Sequence, residues 1–472
     1  MSYDRDDGGL EQAGDFDDEA RVRKGRALAG TAVLLIAAPV ALLLATGAEH
    51  PAEHAWPPPV EAPAELASSP TVARSAGKRT VVVLLFDGLA PAMVEGAETP
   101  TLDRLAREGA WTDAMVPPFP SVSLIGGFTI STGCWPERHG IVTNRFFDPG
   151  KGFYDHSKDD DWVVECEQLH EIAERQGVRA ATLGWYGEVS ASHGKRARIV
   201  EWAASWDEYP SDAGRAEQVA QLLALPVEER PQLILAYFKG PDGAAHFLGV
   251  DAPETRAAVE EADRAVGRVV DALEKNGLAG ETTLIVTTDH GMVPIHHLVN
   301  LDYILRDLDI EARMLATGTT GFVYLDDPTK RDEAIARLSA YAEVFDVFPT
   351  DAQPEWSHLG NGPRVGDLIV SAKPGYAIED RGQWPWYFRW LAWTGPAVYD
   401  ASASLRASHG YPPGTAPVNG VLYAWGDGVR PGEKVEEVRA IDVHPTVAAL
   451  LGIAPGEPVD GVVARGLLAD DA

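Results

Sequence analysis

Only two cysteines, Cys134 and Cys166, occur in a chain of 472 residues, which excludes a disulfide-dense scaffold and a zinc module built on thiolates. They allow one bridge in an oxidising compartment, or two separate small core residues. Positive charge is also short. The 40 Lys and Arg stand against 71 Asp and Glu, for a formal net charge of -31. A surface so poor in cations is unsuited to a nucleic-acid polymer, whose binding depends on neutralising many phosphates. It does not exclude a small phosphate ester, because bound metal ions can supply local positive charge inside an acidic protein. No internal repeat is present. At 45% hydrophobic and 24% charged residues, the composition is that of a globular protein with a sizeable core.

Charge is missing altogether from Ala27 to Gly47. That run of about 21 residues is long enough to span a bilayer as a helix. Arg21, Arg23, Lys24 and Arg26 precede it, and positive residues mark the cytoplasmic side. The expected arrangement is an acidic cytoplasmic tail with its basic cluster (1–26), a membrane anchor (27–47) and a Pro/Ala-rich linker (48–78). A cleaved signal peptide is the alternative, since Ala45-Thr46-Gly47 offers small residues for cleavage. Either way the remainder of the chain is exported, to a periplasmic or extracellular location.

The globular part opens with Val81-Val82-Val83-Leu84-Leu85-Phe86, a continuous apolar run suited to a strand buried on both faces. Similar runs recur at Leu233–Phe238 and Thr283–Thr288. Between them, Glu254–Lys275 carries an apolar stripe at helical spacing through Val259, Ala262, Ala265, Val266, Val269 and Leu273. Strands alternating with helices predict an α/β fold with a mostly parallel central sheet. Around 303–405 the pattern changes to short strands about a helix near Arg331–Ala342, which reads as a smaller α+β insertion. Val421–Trp425 then returns as a core strand and Val443–Leu451 as a closing helix, so the main domain comprises 79–302 and 406–472.

Each of the three strongest strands leads into an acidic residue: Phe86 into Asp87-Gly88, Phe238 through a short turn into Pro241-Asp242, and Thr288 into Asp289-His290-Gly291. Ligands of open α/β sheets bind beyond the carboxyl ends of the strands. Three Asp at one sheet edge, with His246, His290 and His409 available, make a two-metal site of carboxylate oxygen and imidazole nitrogen, donors that zinc accepts. Taken singly these residues have ordinary readings. Asp-Gly after a strand is commonly a turn, Asp242 with His246 a helix start and a surface His, and His409-Gly410 a turn before a strand.

Taken in order, they resemble the nucleotide pyrophosphatase/phosphodiesterase family of the alkaline-phosphatase superfamily. The matching segments are Phe86-Asp87-Gly88, Thr99-Pro100-Thr101-Leu102-Asp103-Arg104-Leu105, Phe119-Pro120-Ser121-Val122-Ser123, and Thr132-Gly133-Cys134-Trp135-Pro136-Glu137-Arg138-His139-Gly140-Ile141-Val142-Thr143-Asn144. Pro241-Asp242 with His246, Asp289-His290-Gly291 and His409-Gly410-Tyr411 complete the set. The resemblance runs from about Thr80 to the end and is least familiar over 380–405. It implies an alkaline-phosphatase-like sandwich and two divalent metal ions, expected to be zinc. One would be held by Asp242, His246 and His409, the other by Asp87, Asp289, His290 and the oxygen of the nucleophile Ser123. Asn144 is implied as a donor to a phosphate oxygen, and Ser121 as structural. The reaction implied is phosphodiester or phosphoanhydride cleavage through a phosphoseryl intermediate.

Four features bear on the substrate. The family nucleophile is usually Thr, but Ser offers the same hydroxyl chemistry. Leu124 stands where the family carries a base-stacking aromatic, and Tyr237 either where a second stacking ring is expected or as a strand residue with its ring in the core. Trp384-Pro385-Trp386-Tyr387-Phe388-Arg389-Trp390 and Trp393 could line a pocket for a choline-like cation, rest at a membrane interface, or pack as a satellite cluster. Lys195, Arg196 and Arg198 either reach the phosphate, which would favour a monoesterase, or form a solvated surface run. A nucleotide or a lipid headgroup is the expected substrate. A phosphotransferase and a non-catalytic binding protein are the more distant alternatives.

Overall fold

The computed structural model describes residues 79–154, 162–188, 195–201, 208–380, 394–401 and 404–470. The expected tail, anchor and linker (1–78) and the Trp-rich stretch 384–393 lie outside these residues. Among the described residues no helix is long and apolar enough to cross a membrane.

Thr80–Phe86 (β1) is buried along its whole length. Its side chains alternate between two cores: Val82, Leu84 and Phe86 join one, and Val81, Val83 and Leu85 the other. That period-two division of an all-apolar strand places it in the middle of a two-faced sheet. Pro100–Glu108 (α1), Ala110–Val116 (β2) and Ser123–Thr132 (α2) follow. Leu169–Arg175 (α3), Ala180–Leu183 (β3), Ile199–Glu201 (β4) and Asp212–Leu223 (α4) come next. Leu233–Phe238 (β5), Asp242–Leu248 (α5), Pro253–Lys275 (α6) and Thr282–Thr287 (β6) complete the first part of the sheet. Gly420–Gly426 (β7) and Val443–Leu451 (α7) close the domain.

The sheet has nine strands, with the order β2-β7-β6-β1-β5-β3-β4 and two short strands, Glu433–Lys434 and Val438–Arg439, beside β2. β1 pairs in parallel with β5 and β6, and β3 in parallel with β5 and β4. β7 runs antiparallel to both β6 and β2, so the sheet is mixed. The reason lies in the chain path. After the insertion the chain passes His409 and Val418, whose carbonyl accepts from Gly291 N–H at the end of β6, so β7 starts at the edge where the parallel strands finish.

Helix α6 packs the expected stripe (Val259, Ala262, Ala265, Val266, Val269, Leu273) against one face, together with α4 and α1. Helices α3 and α7 cover the other. The region between β6 and β7 contains a four-stranded antiparallel sheet, in the order 312–317, 320–325, 368–372, 345–349, with helices Leu301–Asp307 and Arg331–Leu338 and a core of its own. A further apolar cluster, including Phe119, Leu124, Phe128, Phe322 and Ile369, fastens this region to α2. Cys134 and Cys166 are bonded to each other, tying the end of the α2 segment to the approach to α3.

Candidate active site

Because β1, β5 and β6 are parallel and in register (Leu85 opposite both Tyr237 and Thr287), the residues after them emerge together at one edge. Asp87, Asp242 and Asp289 meet there. Asp289 is fixed by two backbone donors, Gly88 N–H at 3.2 Å and His290 N–H at 3.0 Å, both to Oδ1. Its Oδ2 is buried without a hydrogen-bond partner, and so is Oδ1 of Asp242.

The three histidines are oriented in one way. Nδ1 of His246 lies 2.8 Å from the Ala407 carbonyl, that of His290 2.9 Å from the Gly291 carbonyl, and that of His409 2.9 Å from the Ser121 carbonyl. A carbonyl only accepts, so each Nδ1 carries the proton and each Nε2 presents a lone pair. Those lone pairs converge. Nε2 of His246 and of His409 are 3.1 Å apart, and they lie 3.3 Å and 3.7 Å from Asp242 Oδ1. Nε2 of His290 is 3.3 Å from Asp87 Oδ1. Ser121 is engaged on both sides by backbone. Its hydroxyl donates to the Tyr411 carbonyl and accepts from Gly410 N–H, which pins the His409 loop to the Ser123 loop.

Ser123 is the first residue of α2, so its hydroxyl stands at the helix N-terminus, 3.1 Å from His290 Nε2 and 3.4 Å from Asp87 Oδ1. The close approach depends on Gly126: a Cβ there would lie 2.6 Å from the Asp289 carbonyl oxygen. Asn144 is exposed, and its Oδ1 accepts from Leu124 N–H at 2.9 Å, which leaves its NH₂ directed away from the helix. It borders a cavity of about 530 Å³ together with Arg145, Phe153, Tyr154, Thr317, Gly318 and Asp380. Arg145 pairs with the nearly buried Asp380 at 3.3 Å.

The electrostatics are those of an unbalanced acidic cluster. Burial, then Asp289 and Asp242, push the Asp87 carboxyl well above its ordinary range; burial also raises Asp289. For Asp242 burial acts upward but is outweighed by His246, His409 and His290, and the net shift is down. His409 is driven well below its usual value by burial and by the other two histidines. Two ligand groups follow from the positions, Asp87 with Asp289 and His290, and Asp242 with His290 and His409. His246 joins the second through its contacts with Asp242 and His409. Orphaned buried carboxylate oxygens and facing unprotonated nitrogens are what divalent cations would satisfy, and oxygen and imidazole donors suit zinc. The residues present fit the metals.

Not every expected residue is where the sequence suggested. Tyr237 is buried, and its hydroxyl donates to Asp87 Oδ2 at 2.6 Å, so it offers no open face for a base. Leu124 packs into the cluster joining α2 to the insertion. Lys195 to Arg198 precede β4, which runs parallel to β3, so they sit at the opposite end of the strands from the Asp cluster. Arg198 N–H there bonds to Glu174 of α3, which also accepts from Ala180 N–H at the start of β3. Arg145, Asp380 and the 316–318 turn were missed; only the position of Arg145 beside Asn144 hinted at them.

The family described as type I phosphodiesterase / nucleotide pyrophosphatase matches residues 81–412. An uncharacterized pyrophosphatase/phosphodiesterase of Schizosaccharomyces pombe is 28% identical over 402 residues, covering 81% of this chain and 78% of the relative. Human ectonucleotide pyrophosphatase/phosphodiesterase family member 7 is 26% identical over 459 residues, covering 92% and 88%. Among solved structures, murine ectonucleotide pyrophosphatase/phosphodiesterase 5, as an inactive variant in complex with AMP, superposes with a TM-score of 0.72 at 21% identity. That match covers 83% of this chain and all of the other, and at such identity it speaks for the fold.

Proposed function

The chain belongs to the type I phosphodiesterase / nucleotide pyrophosphatase family of hydrolases, in the alkaline-phosphatase superfamily, and on that premise we propose that Ser123 cleaves a phosphodiester or phosphoanhydride bond of a small nucleotide-type substrate. The observation that carries the reading is the position of the Ser123 hydroxyl, at a helix N-terminus and between His290 Nε2 and Asp87 Oδ1.

Asp242, His246 and His409 would hold one divalent ion, and Asp87, Asp289, His290 and Ser123 the other, with zinc the best match to these donors. When bound, such ions supply positive charge against the negative charge that develops on phosphate oxygens. The positive N-terminal end of α2 faces the same phosphate, and Asn144, whose Oδ1 holds the Leu124 N–H, turns its NH₂ to donate to a non-bridging oxygen. Ser123 Oγ, its proton given up to solvent, forms a bond to phosphorus as the bond from phosphorus to the leaving oxygen breaks. Water then attacks the phosphoseryl group, breaks the Oγ–P bond and regenerates the serine. The cavity beyond Asn144 is large enough for one side of a diester.

A location outside the cytoplasm is supported by the uncharged run 27–47 behind its basic cluster, which would anchor the protein in a membrane, and by the Cys134–Cys166 bridge, a bond favoured in oxidising compartments. A diester preference is supported by the basic cluster 195–198 lying far from the nucleophile. The test compares zinc-supplemented hydrolysis of bis-p-nitrophenyl phosphate and p-nitrophenyl phosphate, with Ser123→Ala as blank. A Ser123-dependent diester preference is expected; a monoester preference would overturn the diesterase reading.

A further inference from the structure

We propose that Tyr237 is a positioning residue that confines Asp87 to binding a metal ion through one oxygen, an inference that rests on the metal-site reading above. The two oxygens of Asp87 have different surroundings. Oδ1 faces the site, 3.3 Å from His290 Nε2 and 3.4 Å from Ser123 Oγ. Oδ2 points the other way and accepts from the Tyr237 hydroxyl at 2.6 Å. Asp87 is buried, so water does not compete for that oxygen. Without the phenol, Oδ2 would be free to turn toward a cation and draw Oδ1 out of line with Ser123.

The phenol is itself held. Tyr237 lies in β5 opposite Leu85 of β1, and Asp87 N–H bonds to the next carbonyl, that of Phe238. Nε of the fully buried Arg215 donates to the Tyr237 carbonyl at 3.1 Å. The rings of Tyr186 and Tyr209 make T-shaped contacts with its ring, centroids 5.2 and 5.5 Å away. Tyr186 is in turn pressed onto α2, where only glycine fits: a Cβ at Gly127 would lie 1.8 Å from the Tyr186 ring. The residue type matters as well as the place. A phenol orients the carboxylate without cancelling its charge, whereas an Arg or Lys there would weaken its pull on a cation.

The test measures Zn²⁺ affinity of the full chain by competition with a chromophoric chelator, in the wild type, Tyr237→Phe and Tyr209→Phe. Tyr237→Phe keeps the packing ring. It is expected to weaken one bound ion by about 10–100-fold, the range for partners that orient metal ligands, and to lower kcat while KM holds. Its metal-free form should stay folded, with the melting temperature lowered by no more than the loss of one buried hydrogen bond, and Tyr209→Phe should keep wild-type affinity. Unchanged zinc affinity and kcat in Tyr237→Phe, or an equal loss in Tyr209→Phe, would overturn the proposal. A wild type that takes up no zinc would remove the metal reading and this inference with it.

Discussion

Nε2 of His246 and Nε2 of His409 face each other at 3.1 Å, each with its Nδ1 turned to a backbone carbonyl. Two unprotonated nitrogens at that separation repel unless a cation lies between them and Asp242. His409→Ala is therefore expected to lose one ion. Its affinity should fall by at least about 100-fold, the upper end seen when even an outer partner is removed. Metal content after dialysis, measured by atomic emission, checks this; a full complement would contradict it.

Gly126 lets α2 approach the end of β6. In Gly126→Ala the new methyl would lie 2.6 Å from backbone oxygen of Asp289, which cannot swing away as a side-chain tip could. A loss of about 1–3 kcal/mol in urea unfolding is expected from such overpacking. Turnover should fall further than stability explains, because Ser123 and Asp289 are displaced relative to each other.

Asn144 is tied to α2 through Leu124 N–H. If its amide donates to the phosphate during attack, Asn144→Ala should lower kcat by about 10²–10³-fold, as for loss of one donor from an anion-stabilising site. Steady-state kinetics on a diester decide it; an effect confined to KM would assign Asn144 to ground-state binding.

Acid should destabilise the fold through two histidines outside the site. Burial lowers His444 from 6.5 to about 4, and burial, helped by Arg364, lowers His139 to about 3. Both are neutral in the folded protein, while the unfolded chain takes up protons below about 6.5, so stability is lost as pH falls from there toward the folded values. Each should cost about 2 kcal/mol between pH 7.5 and 5. Urea unfolding of the wild type and of His444→Gln at the two pH values measures it; the variant should show the smaller pH dependence.

Much of the site was legible because strand ends are legible. Asp87, Asp242 and Asp289 each follow an apolar run, and parallel pairing in register does the rest. Tyr237 was open between stacking a base and packing in the core because a strand buried on both faces has no polar alternation to say which way a ring points. Its partner, Asp87, is 150 residues away in sequence. Lys195, Arg196 and Arg198 were open between the phosphate and a surface run for a related reason. They lie close to Trp185-Tyr186 along the chain, but β4 begins after them and its direction puts them at the far edge. The antiparallel course of β7 and the cavity beside Asn144 both depend on where the insertion leaves and returns, which no local pattern encodes. The disulfide was one of two open readings, since two cysteines alone do not fix their separation in space.

The most direct test of the account is the fate of Ser123 during turnover. Zinc-loaded protein is mixed with a phosphodiester, quenched in acid within the first turnover, and digested for mass spectrometry. A covalent phosphoryl adduct on the peptide containing Ser123, absent from Ser123→Ala together with hydrolysis, is the predicted result. Hydrolysis that persists in Ser123→Ala, with no adduct on the wild-type peptide, would contradict it.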